Sequence, residues 1–150
     1  MQTSKSYNND FESVYNYYNR KVFSSYSGNN SDKALKIIGK LQNDGYSICT
    51  DQIVDLKQGE SGIHAKYFEG GIEYIIVGFS DDTNVLDIGL CLERMNGASV
   101  DYNTTRGEIA MIFFKSKITQ KMKVVATSFL SRTPDTASKY RIIIGYKDKE

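Results

Sequence analysis

The stretch SDDTNVLDIGLCLERMNGASVDYN, residues 80–103, decides the fold class. From position 85 to 93 its apolar residues alternate with polar or small residues, which is the period of a strand with one buried and one wetter face. The Asn96-Gly97 pair is a strong hairpin signal, because a type I′ turn needs positive φ at both central residues. The stretch therefore predicts two antiparallel strands, Val85–Glu93 and Ala98–Tyr102. In the longer strand the predicted core positions are Leu86, Ile88, Leu90 and Leu92, and the wetter positions are Asp87, Gly89, Cys91 and Glu93.

The same period continues on both sides of this hairpin. In the last strand Tyr140, Ile142, Ile144 and Tyr146 oppose mostly polar or small residues, with Ile143 as the exception. Seven short strands separated by turn residues favour an antiparallel β-sandwich, jelly-roll-like, since no helical crossover of the kind that a parallel sheet needs interrupts them. An α+β protein with a curved antiparallel meander sheet is the alternative. The five remaining strands are predicted at 63–68, 72–79, 108–115, 121–130 and 139–147.

Two helices are predicted before the strands. The apolar residues that indicate the first helix follow one another at three- and four-residue steps between Asn9 and Tyr26, and they are Phe11, Val14, Tyr15, Tyr18, Val22 and Tyr26. Ser31 caps the second helix, and the NDG sequence at 43–45 ends it. The chain is therefore predicted to be one mainly β domain, residues 1–150, with a helical segment at 9–45 and a β-sandwich at 60–147. The apolar stripe of the second helix, which we expect to be buried, is Ala34, Leu35, Ile37, Ile38 and Leu41.

Composition limits the classes of function. The chain has 150 residues, the length of one domain, and its 19 basic and 18 acidic residues leave a net charge of +1. With this balance the chain as a whole has no strong electrostatic attraction to nucleic acid or to an anionic membrane, although local charged patches can exist. We expect no nucleic-acid partner and no membrane insertion, because no apolar run approaches the roughly 20 residues of a span. The Ser/Asn-rich start, MQTSKSYNND, is typical of residues that follow a removed signal peptide and favours a secreted or periplasmic protein.

Asp81, Asp82 and Asp87 form the one candidate metal site. Clustered carboxylates repel one another unless a cation or hydrogen-bond donors neutralise them, and Ca²⁺ prefers several oxygen ligands on irregular backbone. However, the loop lacks the EF-hand spacing, and Asp and Asn are common in turns because their side chains bond the local backbone. We therefore expect a plain turn, with a calcium site as the alternative and no other cofactor.

No catalytic signature is present in the sequence. His64, the single histidine, lies in a predicted strand without a nucleophile motif. Cys49 and Cys91 are too far apart for a CxxC motif, so they either form one disulfide or stay free. Because the alternation places Cys91 on the wetter face of its strand, a disulfide is not favoured. We predict that the protein is not an enzyme.

Three segments carry a resemblance to a known family. They are YFEGGIEYIIVGFSDDTNVLDIGLCLERMNGASVDYN, IAMIFFKSKITQKMKVVATSF and ASKYRIIIGYK. Together they resemble the secreted β-sandwich domains of the pre-peptidase C-terminal type, over about residues 60–147. In two places the chain departs from the family pattern: Gly89 replaces a second acidic position, and ITQKM lacks the glycine and tyrosine of the usual hairpin. The matching positions are Gly71, Tyr74, Asp81, Asp87, Leu90, Asn96, Gly97, Val124, Tyr140 and Ile142.

The resemblance implies a non-enzymatic exported domain that acts as an accessory or binding module, with a protein or a polymer as its partner. The alternative belongs to a different class. It is an intracellular α+β protein, such as a secretion chaperone or an immunity protein, in which two helices cover one face of a meander sheet. A signal peptide encoded immediately before Gln2 would distinguish the two compartments.

Overall fold

The computed structural model describes residues 20–103 and 106–148. One helix and ten strands lie within them. The seven predicted strands correspond to β4–β10, and every bound agrees within two residues. The elements are β1 (Arg20–Val22), β2 (Ser24–Ser25), α1 (Asp32–Asn43), β3 (Ser47–Leu56), β4 (Ser61–Phe68), β5 (Glu73–Phe79), β6 (Val85–Arg94), β7 (Ser99–Tyr102), β8 (Ile109–Lys115), β9 (Gln120–Ser131) and β10 (Ser138–Lys147).

The strands form two five-stranded sheets that pack face to face. Sheet I has the order β1-β4-β9-β6-β7, and sheet II has the order β2-β3-β10-β5-β8. All pairs are antiparallel except β1 with β4. The mainly β class and the two-sheet sandwich are thus confirmed, and the non-sequential strand orders do not fit a meander. The largest fully buried core side chains include Tyr140, Phe68, Leu56, Ile76 and Met122.

The alternation of β6 is confirmed at three of its four predicted core positions. Leu86 is the exception, because the register with β9 shifts between Val85 and Asp87. Such a bulge inserts an extra residue and re-aims the side chains near it. Val85, which is 1% exposed, therefore enters the core where the strict alternation placed Leu86. The three confirmed positions are Ile88, Leu90 and Leu92.

The hairpin between β6 and β7 is confirmed, but its turn is not type I′. Gly97 has φ +93°, whereas no residue other than glycine has positive φ among the described residues. The Gly97 N–H donates to the Arg94 carbonyl oxygen at 2.9 Å, and the Arg94 N–H donates to the Ala98 carbonyl oxygen at 2.8 Å. The turn therefore starts at Arg94, one residue earlier than a two-residue Asn96-Gly97 loop would, and it needs glycine only at its last position.

The chain crosses between the sheets near residue 23. Residues 9–19 of the predicted first helix lie outside the described residues, and residues 20–26 are not helical, because β1 joins sheet I and β2 joins sheet II. The predicted helical stripe placed Val22 inside, whereas Val22 is 79% exposed and Phe23 is 5% exposed. A Cβ at Gly62 would lie 2.6 Å from Phe23 Cε2, so glycine makes room for this ring. Burial of Phe23 between the sheets explains the extended backbone.

Helix α1 covers the outer face of sheet II. Ser31 is its N-cap as predicted, since the Oγ accepts from the Ala34 N–H at 3.1 Å. The outward side chain of Ile143 packs under this helix, which explains the exception in the alternation of β10. Leu35 was expected to be buried but is 55% exposed, because the contact face of α1 is narrower than the predicted stripe. Within the described residues, no helix combines the length and the apolarity needed to cross a membrane.

Candidate functional site

The strand β8, which lies at one edge of sheet II, carries an exposed apolar row. Its side chains alternate, so that every second one joins the core and the others face outward. The outward residues Ile109, Met111 and Phe113 are 38%, 41% and 63% exposed. Edge strands usually limit contact with other chains through charged residues, proline or bulges. The outward row of β8 has none of these before Lys115.

This row continues an apolar surface that α1 covers on the neighbouring strand. The outward apolar residues of β5, which are Ile75, Val77 and Phe79, are at most 4% exposed, because α1 packs on them. Their cross-strand partners on β8 have the same apolar character without that cover. The helix therefore covers β5 but leaves the edge strand β8 uncovered. The cross-strand pairs are Phe79 with Ile109, Val77 with Met111 and Ile75 with Phe113.

The edge strand of sheet I, β7, adds two exposed apolar residues. Val100 is 38% exposed and Tyr102 is 62% exposed. Asn103 Nδ2 donates to the Met111 carbonyl oxygen at 3.0 Å, which joins the end of β7 to β8 on the same side of the sandwich. We use the term flank surface for these exposed residues of the two edge strands. Its members are Val100, Tyr102, Ile109, Met111 and Phe113.

Asn103 also occupies a backbone acceptor on β8. In an antiparallel sheet an edge strand directs alternate N–H and C=O groups away from its neighbour, where another strand can pair with them. The Met111 carbonyl is such a group, and it already accepts from Asn103. At this point a partner can therefore contact the side chains of the flank surface more readily than it can pair with the backbone of β8.

Charged groups bound the apolar row at both ends. Lys33 Nζ lies 2.7 Å from Glu108 Oε1 and also donates to the Ser80 carbonyl oxygen at 2.7 Å. The hydrogen bond and the charge of Lys33 lower the pKa of the Glu108 carboxyl. Lys115 ends β8 on the other side. The flank surface thus has an apolar centre and a charged rim.

The predicted calcium residues have hydrogen-bond partners in different parts of the chain. Each carboxylate accepts one bond from a hydroxyl or a backbone N–H, and the bond from Asn84 to Asp82 is the local kind that is common in turns. Within residues 20–103 and 106–148, no three His, Cys, Asp or Glu side chains converge in an arrangement that could hold a metal ion. The choice between a turn and a calcium site remains a prediction. The bonds run from Ser31 Oγ to Asp81 Oδ1 (2.7 Å), from Asn84 N to Asp82 Oδ1 (2.9 Å) and from Gly107 N to Asp87 Oδ1 (3.0 Å).

The reactive side chains singled out in the sequence lie apart. Cys49 is on β3 of sheet II and Cys91 is on β6 of sheet I, and both are free thiols. Burial raises the pKa of the Cys91 thiol, which keeps it protonated and unreactive at neutral pH. His64 lies on β4 opposite Val124, and burial followed by the charge of Lys66 lowers the pKa of its imidazole.

Sequence reasoning did not identify the flank surface. The segment IAMIFFK at 109–115 was predicted to be a strand, but which strands lie at the sheet edges was not inferred. The sequence did contain one signal for an exposed apolar surface. Both faces of this segment are apolar, and it holds no glycine or proline. In an antiparallel sandwich one of two apolar faces must be covered by another element or exposed for a partner.

Comparisons with known proteins place the fold. No protein-family model matches this chain, and no curated protein shows a significant sequence match. PliG from Aeromonas hydrophila, described as a periplasmic lysozyme inhibitor of g-type lysozyme, has a TM-score of 0.50 and 6% identity over 85% of this chain and 99% of that chain. The pre-peptidase C-terminal domain of a collagenase from Bacillus anthracis has a TM-score of 0.49 and 10% identity over 63% of this chain and 87% of that chain. The predicted resemblance is confirmed at the level of a β-rich fold, and at these identities the likeness concerns the fold alone.

Proposed function

We propose that this chain is a non-enzymatic, exported protein-binding domain whose partner contacts the flank surface. The observation that carries the proposal is the outward row of β8, where Ile109, Met111 and Phe113 stay exposed beside the equivalent row of β5 that α1 buries. Exposed contiguous apolar side chains with a polar rim are typical of sites that bind another protein. The row of β8 has this composition, and Val100 and Tyr102 of the neighbouring edge strand extend the flank surface around the edge onto the outer face of sheet I.

The residue types of the flank surface also suit a protein partner. Phenylalanine, tyrosine and methionine are enriched at the buried centres of interfaces, where a few side chains supply most of the binding energy. Phe113 and Tyr102 are the most exposed members, at 63% and 62%. We expect them to be the anchors, and we expect the Lys33–Glu108 ion pair to lie at the rim.

The likeness to PliG supports the non-enzymatic and exported parts of the proposal. PliG is described as an inhibitor, a protein that acts by binding an enzyme, and as periplasmic. A domain of this fold can therefore serve by contact rather than by catalysis. The second candidate, an intracellular α+β helper protein, has less support because the described part of the chain holds one helix and two packed sheets.

Site-specific photo-crosslinking in the producing cells tests the proposal. One variant carries p-benzoylphenylalanine in place of Phe113, and a matched control carries it in place of Leu35 on α1, which is 55% exposed but outside the flank surface. We expect a discrete crosslinked protein from position 113 that excess unmodified chain competes away. The identity of that protein also decides whether the partner is a lysozyme, the class of enzyme that PliG inhibits.

Two outcomes would contradict the proposal. The first is the absence of any competed crosslink at position 113 in cells where the chain is folded and exported. The second is the same crosslinked protein with equal yield from position 35, because the contact would then not depend on the flank surface.

A further inference from the structure

One end of the sandwich presents a second set of exposed apolar residues. Tyr67, Met95 and Ile118 are 64%, 48% and 65% exposed. Tyr67 lies near the end of β4, opposite Lys121 at the start of β9. Met95 directly follows β6, whose last residue pairs with the same part of β9. The three side chains therefore project from turns and strand ends at one pole of the molecule.

A specific loop contact holds Ile118 in solvent. The Gly70 N–H donates to Thr119 Oγ1 at 3.0 Å, which joins the β4–β5 turn to the β8–β9 turn. A Cβ at Gly70 would lie 2.6 Å from the Lys117 carbonyl oxygen, so this approach requires glycine. The exposure of Ile118 is thus built into the packing of two turns.

Cationic side chains surround these apolar residues. Lys121 Nζ lies 5.6 Å from the centre of the Tyr67 ring. Five cationic residues and two carboxylates, Glu69 and Glu73, lie at these strand ends and turns, and Lys147 of β10 pairs opposite Glu73. We use the term basic tip for Tyr67, Met95 and Ile118 together with these cations. The cations are Lys66, Arg94, Lys115, Lys117 and Lys121.

We propose that the basic tip docks this protein on the surface of an anionic lipid bilayer. Apolar side chains at the end of a protein can enter the headgroup boundary, while the neighbouring lysines contact lipid phosphates. Tyrosine suits the same depth, because its ring is apolar and its hydroxyl is polar. Since the apolar side chains project from two turns and a strand end rather than line a groove, they fit a flat surface better than a linear polymer.

The contact is a shallow one at the lipid surface and needs no membrane-spanning segment. Lys115 is common to the basic tip and the rim of the flank surface, but Lys117, Ile118 and Lys121 lie outside the flank surface, so substitutions at these three positions test the basic tip separately. Each lysine near an anionic surface strengthens partitioning by about fivefold, and salt weakens this attraction. Loss of two lysines should therefore weaken binding by roughly 20-fold.

Vesicle co-sedimentation of the full chain tests the proposal. The probes are vesicles of equal parts phosphatidylglycerol and phosphatidylcholine, compared with vesicles of phosphatidylcholine alone. We expect binding to the anionic vesicles only, lost at 0.5 M salt, weakened roughly 20-fold by Lys117→Gln with Lys121→Gln, and weakened by Ile118→Ser. The matched controls on α1, Lys36→Gln with Lys40→Gln and Leu35→Ser, should bind like the unmodified chain.

Several results would overturn the proposal, provided that thermal melts show each variant to be folded. Failure to bind anionic vesicles, or equal binding to neutral ones, would exclude an anionic lipid surface. Equal losses in the α1 controls would show that the basic tip is not the contact. Binding that depends on the lysines but not on Ile118 would show that the apolar side chains do not enter the headgroup boundary, which contradicts the docking proposed here.

Discussion

Removal of the Asp51 side chain should destabilise the fold, because it leaves a buried guanidinium without its counter-charge. Arg141 lies on the outer face of β10 and is 4% exposed. Its Nε and Nη2 donate to the two oxygens of Asp51 at 2.8 and 2.7 Å, and Nη2 also donates to Asn30 Oδ1 at 2.7 Å. The Tyr26 ring lies over the guanidinium, with its centre 3.8 Å from Cζ.

The expected magnitude follows from this geometry. Breaking a fully buried ion pair by removing one partner costs about 3–5 kcal/mol. The Asp51 side chain is 30% exposed, so water can replace part of the lost interaction, and we expect about 2–3 kcal/mol for Asp51→Ala. For a chain of this size that loss corresponds to a fall in Tm of roughly 5–10 °C.

The same two strands carry a matched control pair. Lys139 and Asp55 lie opposite each other on β10 and β3, with 3.5 Å between Nζ and Oδ1, but their side chains are 72% and 60% exposed. Asp55→Ala should therefore cost less than about 1 kcal/mol. Denaturant unfolding of both variants, of Arg141→Ala and Lys139→Ala alone, and of the two double variants measures the two coupling energies. Equal costs for Asp51→Ala and Asp55→Ala would refute the reasoning.

Three further predictions concern solution conditions. Millimolar calcium should leave the Tm of the metal-stripped protein unchanged, and a rise of several degrees that disappears in Asp81→Asn with Asp87→Asn would contradict the turn interpretation. The pKa of Glu108 is lowered in the folded state, so its pairing with Lys33 stabilises the fold above the ordinary Glu pKa, and this stabilisation is lost as pH falls through the folded-state pKa. The stability difference between the unmodified chain and Glu108→Gln should therefore disappear in strong acid, and a difference that persists unchanged there would contradict this. Reductant should not change the Tm, because both cysteines are free thiols, so a large drop would show that a disulfide forms.

Strands with one wet face were predictable because the alternation reports two environments directly. Apart from Leu86, the predicted core side chains of β6 and β10 follow this rule, and the one outward apolar residue of β10, Ile143, marks where α1 packs. The helix itself was predictable from Ser31 and the apolar spacing after it. Local sequence is sufficient in these cases, because each signal concerns residues that are neighbours in the chain.

The strand β3 was not predicted, because the contacts that stabilise it join residues that are far apart in the sequence. Its outward Asp51 is held by Arg141, which is 90 positions away in sequence, so a charged residue occupies a position that is partly covered in the fold. Thr50 and Gln52 oppose the core residues Ile144 and Ile142, so polar residues fall on both faces of β3 and the alternation is lost. The pairing that stabilises this strand cannot be inferred from the strand alone.

The candidate site was also beyond a single sequence. The apolar row of β8 resembles that of β5 in composition, and only the position of α1 decides that Val77 is 1% exposed while its partner Met111 is 41% exposed. Which strand becomes an edge depends on the sheet order, and that order is set by pairings between distant segments. The acidic loop was predicted as the candidate site instead, because its clustered carboxylates are neighbours in the sequence.

The affinity of the purified chain for the protein that crosslinks at position 113 tests the central claim most directly. Titration calorimetry compares the unmodified chain with Phe113→Asp and with the control Leu35→Asp, which adds the same charge at an exposed apolar residue outside the flank surface. We expect Phe113→Asp to weaken binding by at least tenfold, about 1.4 kcal/mol, with an unchanged Tm, and Leu35→Asp to have little effect. Unchanged affinity in a folded Phe113→Asp variant would contradict the claim that the flank surface binds the partner.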